Sequence, residues 1–393
     1  MRDKKSFLRG ALCGALAILL STGLMSCGLR AYGTSLGRES VSKDVERKIS
    51  GLRELIDAKY LGDVDDSELE EGIYKGLVSG LEDPYSVYYD EEETKSMMES
   101  NEGEYCGIGA VLTRNMDTGI ITLVQIYDDS PAMEAGLEAD DILYKVEDKE
   151  VTGEDLTEVV SHIKGEKGTE VQLTVLRGDD NKEVTVTAVR NTVQVQTVKH
   201  EMKNDGIGYL AVSEFDLVTY EQYKEALADL ENQGMKGLVV DLRNNPGGNL
   251  ETVCDILDLM LPEGLIVYTE DKEGNRDEKK SDEENQFCLP MVVLMNGNSA
   301  SASEIYAGAI QDYGTGKIVG TQSYGKGVVQ QIFMLKDGTS VKLTIAEYFT
   351  PKGRNINGKG ISPDVEVEYE RNEENPDADN QLDKAMEVLK EQF

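Results

Sequence analysis

The stretch "GLVVDLRNNPGGNLETVCDILDLML", residues 237–261, decides the architecture. "GLVVDLR" is apolar, short and stopped by a turn signal, which reads as a buried strand and not a helix. "NNPGGN" is that turn. "LETVCDILDLML" follows as a helix. The pattern repeats on both sides. Upstream, "GIGYLAVSEF" is a strand and "TYEQYKEALADLENQG" a helix ended by Gly234. Downstream come the buried strand "MVVLMN", a serine-rich loop, the helix "SEIYAGAIQDYG", the strand "GKIVG" and a hairpin around Asp337-Gly338 in "FMLKDGTSVKLTIAEYFT". Strands alternating with helices predict an α/β fold with a parallel-rich sheet covered by helices. In such sheets sites form where strands end and helices begin, and both "DLRNNPGG" and "NGNSAS" sit at junctions of that kind.

The second junction, "NGNSASASEIYAG" at residues 296–308, holds three candidate nucleophiles. Ser299 precedes the helix and fits a helix N-cap. Ser303 lies one turn in, beside Glu304, suited to capping or to facing solvent. Ser301 stands between two alanines at the helix entrance, where substrate can approach closely. Free N–H groups of a first helical turn favour negative charge, so an oxyanion would be stabilised there.

A serine hydroxyl needs a base. The chain has two histidines. His162 falls in "VVSHIKG", an exposed helix, and His200 in "TVKHEMKN", a polar linker. Both read as surface residues; a Ser-His-Asp triad assembled in space remains the alternative. Lys326, between two glycines in "SYGKGVVQQ", is the other candidate, because removal from water favours a neutral amine able to take a proton. "GTQSYGKG", residues 320–327, nearly fits a phosphate-binding loop. It has glycine where the Mg²⁺-binding hydroxyl belongs, and the β-branched run "VVQQIF" follows instead of a helix, so nucleotide binding is not expected.

Residues 43–99 read as helices. "VERKISGLRELIDAKY" puts Val45, Ile49, Leu52, Leu55 and Ile56 on one face. "DSELEEGIYKGLVSGL" starts at an Asp66 or Ser67 cap, "EDPYSVYYDEEE" contains a proline turn, and an acidic helix runs to about Ser100. Residues 103–190 are short strands with one helix, a compact β-rich module. Here "GIGA", Gly107, Ile108, Gly109 and Ala110, together with "SPAMEAGLEADDILYKVEDKEV", resembles a PDZ domain. A glycine loop leaves bare N–H donors for an anion, and a strand edge can accept a peptide. Ala139-Asp140-Asp141 stands where many relatives carry Gly-Asp.

The 393 residues suffice for two or three domains. A formal net charge of −35 argues against nucleic acid, which requires a basic footprint. Five scattered cysteines show no zinc spacing and no disulfide framework, and no metal or other cofactor is expected. At the N-terminus a basic flank precedes "GALCGALAILLSTGLMSCGL", long enough to span a bilayer. A single membrane anchor with the body on the extracytoplasmic face ranks first. Lipid attachment at Cys27 in "LMSC" ranks second and a cleaved signal third.

Taken in order, "LVSGLEDPYSVYY", the PDZ-like insertion, "DLRNNPGGNL", "NGNSASASEIYAGAIQDYG", "VGTQSYGKGVVQQ" and "GISPDVEV" resemble the C-terminal processing peptidases, or tail-specific proteases. The resemblance runs from about residue 45 to the C-terminus. It implies a crotonase/ClpP-like α/β protease core carrying an inserted PDZ domain. It also implies a Ser-Lys dyad with Ser301 as nucleophile and Lys326 as base; their separation of twenty-five positions matches that of the family. Gln330 aligns with a glutamine that orients the lysine. The oxyanion donors would be the N–H of Ala302 and of Gly247 or Gly248. The expected organisation is a signal or anchor at 1–30, helices at 43–100, PDZ at 103–190, protease core at 191–370, and an acidic stretch with a final helix at 371–393. Expected partners are proteins with apolar C-termini, the membrane through the N-terminal segment, and a second subunit. A PDZ scaffold that binds peptides without cutting is the alternative reading.

Overall fold

The structure, a computed structural model, describes residues 42–178, 180–282, 284–375 and 378–393. The predicted anchor at 1–30, with Cys27, lies outside the described residues. Residues to Glu70 and residues from Glu71 form two separate compact units.

In the first unit, α1 (Lys43–Lys59) is capped by Ser42, whose hydroxyl accepts from the Val45 N–H, and it buries none of its residues. α2 (Asp66–Ser79) follows and runs across the division at Glu70. Its cap is Asp65, one residue ahead of the expected Asp66 or Ser67, because the Asp65 carboxylate takes both the N–H and the hydroxyl of Ser67. The second unit then holds β1 (Val87–Tyr89) and α3 (Glu91–Glu102), the latter closed by a reciprocal Asp90–Glu93 capping box.

The β-rich module contains β2 (Glu104–Gly107), β3 (Ala110–Arg114), β4 (Ile121–Ile126), α4 (Pro131–Glu134), β5 (Ile142–Val146), β6 (Lys149–Glu150), α5 (Leu156–Ile163), β7 (Glu170–Arg177), β8 (Lys182–Val189) and β9 (Asn191–Gln194). Strands β3-β4-β5-β7-β8 form one antiparallel sheet with β6 on its side, and β2 pairs β9. Ile121, Leu123, Leu143, Val171, Leu173 and Val175 build its own core.

The remaining elements are β10 (Val198–Lys203), β11 (Ile207–Val212), α6 (Thr219–Asn232), β12 (Gly237–Asp241), α7 (Leu250–Met260), β13 (Gly264–Asp271), β14 (Arg276–Ser281), β15 (Met291–Met295), α8 (Ala302–Tyr313), β16 (Gly316–Gly320), β17 (Val328–Met334), β18 (Ser340–Phe349), β19 (Val365–Glu366) and α9 (Asn380–Lys390). The central sheet runs β10-β11-β12-β15-β16-β19, parallel except for β10. Side chains alternate across each strand. Leu238, Val240, Met291 and Val293 face α6, α7 and α8 in the larger core. Val239, Val292, Leu294 and Val319 face Ala385 and Leu389 of α9. Both faces are therefore covered, which is why these strands read as unbroken apolar runs.

Two segments differ from expectation, and a third, 264–281, carried no reading in the sequence. "TVKHEMKN" is the edge strand β10 and not a linker; an edge needs one partner, and its polar alternation suits a half-solvated strand. The charged stretch 264–281 forms the β13–β14 hairpin in a second sheet, β1-β18-β13-β14 with β17 on β18. The proline turn near Pro84 leads into β1, which pairs β18.

Candidate active site

Strands β12, β15 and β16 are neighbours in the central sheet. The loops leaving their carboxyl ends must therefore lie side by side: the glycine turn, the serine loop and the lysine loop.

Hydrogen bonding separates the three serines. Ser299 is buried; its hydroxyl donates to the Leu242 carbonyl at 2.8 Å and accepts from the Asn296 N–H at 2.9 Å. Ser303 is also buried and donates to the Asn245 carbonyl at 3.0 Å. Neither caps α8 nor faces solvent, so both earlier expectations are corrected: these hydroxyls stitch the serine loop to the glycine turn. The N-cap of α8 is Ser301, at φ 53° and ψ −112°. A positive φ at a non-glycine residue is strained backbone. It makes a sharp strand-to-helix corner with the serine at the positive end of the helix.

Glu304 holds that corner and was missed as a site residue in the sequence. Its carboxylate is fully buried. Oε2 accepts from the Ser301 N–H and the Lys326 N–H, both at 2.9 Å. Oε1 accepts from the Gly325 N–H at 2.7 Å and the Ser323 hydroxyl at 2.5 Å. One anion thus joins the serine loop to the lysine loop. The available signal was the spacing Ser301-x-x-Glu304, the capping-box pattern, with its acid followed by the small and apolar run from Ile305 to Ile310.

Lys326 is half-buried. Burial pushes its amine below the ordinary lysine range, and the Lys342 ammonium adds to the push; the Asp83 and Glu304 carboxylates oppose it. Its Nζ lies over the Tyr85 ring, 4.8 Å from the centroid, and no hydrogen bond joins it to Ser301 Oγ among the described residues. Gln330 lies on β17, where Nε2 donates to Thr344 Oγ1 at 3.2 Å. The loop resembling a phosphate cradle leads into β17, a strand.

The glycine turn sits against the serine. A Cβ on Gly247 would lie 2.8 Å from Ser301 Cβ and 2.9 Å from the Ala302 nitrogen. The Gly247 N–H already donates to Asn245 Oδ1 at 2.8 Å. Gly248, at φ 143°, has the Phe215 carbonyl where a Cβ would go, 2.4 Å away. Among the described residues neither the Gly248 nor the Ala302 N–H has an acceptor.

The histidines lie elsewhere. His162 is exposed, with Glu158 at 3.9 Å, and His200 pairs with Asp229 at 2.9 Å. In the β-rich module a 140 Å³ groove is lined by Tyr105, Gly107, Ile108, Ala110, Leu112, Val160, Ile163 and Lys164. Gly109, at φ 79°, is required by Ser130: a Cβ would come within 2.5 Å of the serine Cβ.

A serine hydroxyl at a helix N-terminus beside free N–H donors can support nucleophilic attack, the chemistry of a serine-type hydrolase. Comparison with known proteins gives the family. Residues 206–367 match peptidase family S41, residues 105–188 a PDZ domain, and residues 31–94 the N-terminal domain of the activating protease CtpB. A carboxy-terminal-processing protease of Bartonella bacilliformis is 37% identical over 85% of this chain and 77% of its own. The carboxy-terminal processing protease CtpA of Bacillus subtilis is 36% identical over 89% and 76%. A solved Bacteroides fragilis chain assigned to the S41 proteases shares the fold, with TM-score 0.53, 16% identity, and 85% of this chain and 93% of that one covered. The chain belongs to the carboxy-terminal processing proteases of family S41, serine-type peptidases carrying a PDZ domain.

Proposed function

We propose that Ser301 is the nucleophile and Lys326 the general base of this protease. The observation that carries the assignment is the buried Glu304 carboxylate, which binds the backbone of both residues at once. The depressed basicity of Lys326 suits it to accept the Ser301 proton as Oγ attacks the scissile carbonyl carbon. The oxyanion is held by the N–H groups of Ala302 and Gly248; Gly248 is favoured over Gly247, whose N–H is engaged by Asn245. The tetrahedral intermediate collapses and the Lys326 ammonium returns its proton to the leaving amine. Water, deprotonated by the same lysine, then hydrolyses the acyl-enzyme and regenerates the serine. Gln330 orients the amine once the side chain swings toward Ser301.

The substrates are proteins with apolar C-termini, read by the PDZ groove. Its lining of Ile108, Ala110, Leu112, Val160 and Ile163 supports apolar side chains. The basic flank and apolar run at the N-terminus support an extracytoplasmic body on a membrane anchor. The apolar stripe of α1, with Val45, Leu52 and Leu55 exposed, supports pairing with a second copy.

The test is cleavage of an unfolded reporter protein ending in apolar residues. Ser301→Ala and Lys326→Ala should each lower kcat by at least about 1,000-fold. Cleavage should rise with pH through a midpoint below the ordinary lysine value of about 10.4, because only the neutral amine is a base. Undiminished cleavage by either variant would remove the dyad, and loss confined to a His200 variant would restore the triad.

A further inference from the structure

The proline turn in "EDPYSVYYDEEE" has no part in the chemistry above, yet it is bolted to the site. Asp83 Oδ1 accepts from the Tyr85 N–H at 3.1 Å, and Oδ2 accepts from the Ser86 hydroxyl at 2.6 Å. Ser86 is buried and its Oγ accepts from the Thr344 N–H of β18 at 3.1 Å. Thr344 is the strand partner of Gln330. The turn then continues into β1, with Val87 opposite Lys342. This anchoring sets the face of the Tyr85 ring 4.8 Å from the Lys326 ammonium, within the range of a cation–π contact.

We propose that Tyr85 and Asp83 are positioning residues that form a holding site for protonated Lys326, an aromatic face beside a carboxylate that retains the ammonium and releases the neutral amine to Ser301. The proposal rests on the assignment of Lys326 as base. A ring face attracts a cation through its quadrupole and has no such hold on a neutral amine, so the holding ends when the proton leaves. The other groups facing the lysine are Lys342 of β18, which repels it, and Glu304 of α8, which attracts it; Tyr324 on its own loop lies near Tyr85. Lys342 is drawn aside over the Tyr89 ring, 5.4 Å from its centroid. Burial depresses the lysine, and the ring and carboxylate limit how far. Removing either lowers the pH at which the base becomes available.

The experiment is the titration of Lys326 by NMR in the full chain carrying lysine labelled with ¹³C at Cε, its resonance assigned by loss in Lys326→Arg. Tyr85→Leu and Asp83→Asn should move the midpoint down by about 0.5 to 1 pH unit, and Tyr85→Phe, which keeps the ring, should leave it in place. Below the midpoint kcat/KM of Tyr85→Leu and Asp83→Asn should rise about three- to tenfold, with the alkaline plateau unchanged, whereas structural damage would lower both. A Tyr85→Leu midpoint equal to or above that of the wild type overturns the proposal. Should Tyr85→Leu fail to fold, Tyr85→Met and Asp83→Asn decide by the same reading. Wild-type cleavage by Lys326→Ala overturns the base assignment instead, whatever the tyrosine variants titrate.

Discussion

At the scale of residues, the decisive group is Glu304, an acid with four donors aimed at it and no accessible surface. A glutamine there has one acceptor oxygen and turns an NH₂ toward N–H groups that need an acceptor. Each buried donor left unpaired costs about 1–3 kcal/mol. Glu304→Gln is therefore expected to loosen both loops together, lowering kcat at least about 100-fold with a small change in KM. Steady-state kinetics on a tail-bearing reporter, with thermal unfolding to show that the fold survives, checks it. A variant with wild-type kcat would mean that the carboxylate is not what holds the two loops for activity. The candidate nucleophile was readable from local pattern, since small neighbours and a helix start favour Ser301. The occupations of Ser299 and Ser303 were not readable, because their acceptors, Leu242 and Asn245, lie more than fifty residues away.

At the scale of elements, the loop from Ser213 to Val218 joins the glycine turn to the last turn of α3. The Phe215 N–H donates to the Gly247 carbonyl at 2.9 Å, and the Leu217 N–H donates to the Asn101 carbonyl at 3.2 Å. Between these bonds sits Asp216, buried, with its carboxyl pushed up to about 7 by burial and by the neighbouring Glu214. The folded chain thus keeps a proton that the unfolded chain releases near pH 4. That contribution to stability is complete below about pH 4 and is lost as pH rises through about 7. Asp216→Asn should melt about 2–4 °C above wild type at pH 8 and lose that advantage at pH 4, read from Tm across the range. A constant difference in Tm would exclude titration of this group as the cause. The elements missed in the sequence share one property: β1, β10 and the β13–β14 hairpin are charged or short. β1 and β13 are placed by the distant strand β18, while β10 and β14 pair with chain neighbours but carry charged, half-solvated patterns, so no apolar periodicity announces them.

At the scale of the molecule, the C-terminal helix α9 closes the second face of the central sheet. Asp379 caps it, accepting from the Gln381 and Leu382 N–H groups, and also binds Arg243, which in turn grips Asp241. Arg243 directly precedes the glycine turn, so the tail of the chain braces the site through one guanidinium. Leu389 is fully buried against that face. Leu389→Ala should cost about 2–5 kcal/mol. It should lower Tm while leaving kcat per folded molecule near wild type, measured by calorimetry beside active-site titration. A loss of kcat without a loss of Tm would assign the helix a catalytic task in place of a supporting one. Among the described residues no helix is long and apolar enough to cross a membrane.

The amino-acid sequence by itself determined the α/β class, the inserted module, the serine corner and the candidate lysine. Each is written in contiguous residues, as a period, a turn signal or a small-residue helix start. Tertiary structure alone decided what surrounds them: which glycine N–H stays free, which carboxylate ties the loops, and which aromatic ring lies beneath the amine. Those contacts join segments that folding brings together from far along the chain, as with Asp83, Glu304 and Lys326. Their energies depend on burial and distance, which a linear pattern does not carry.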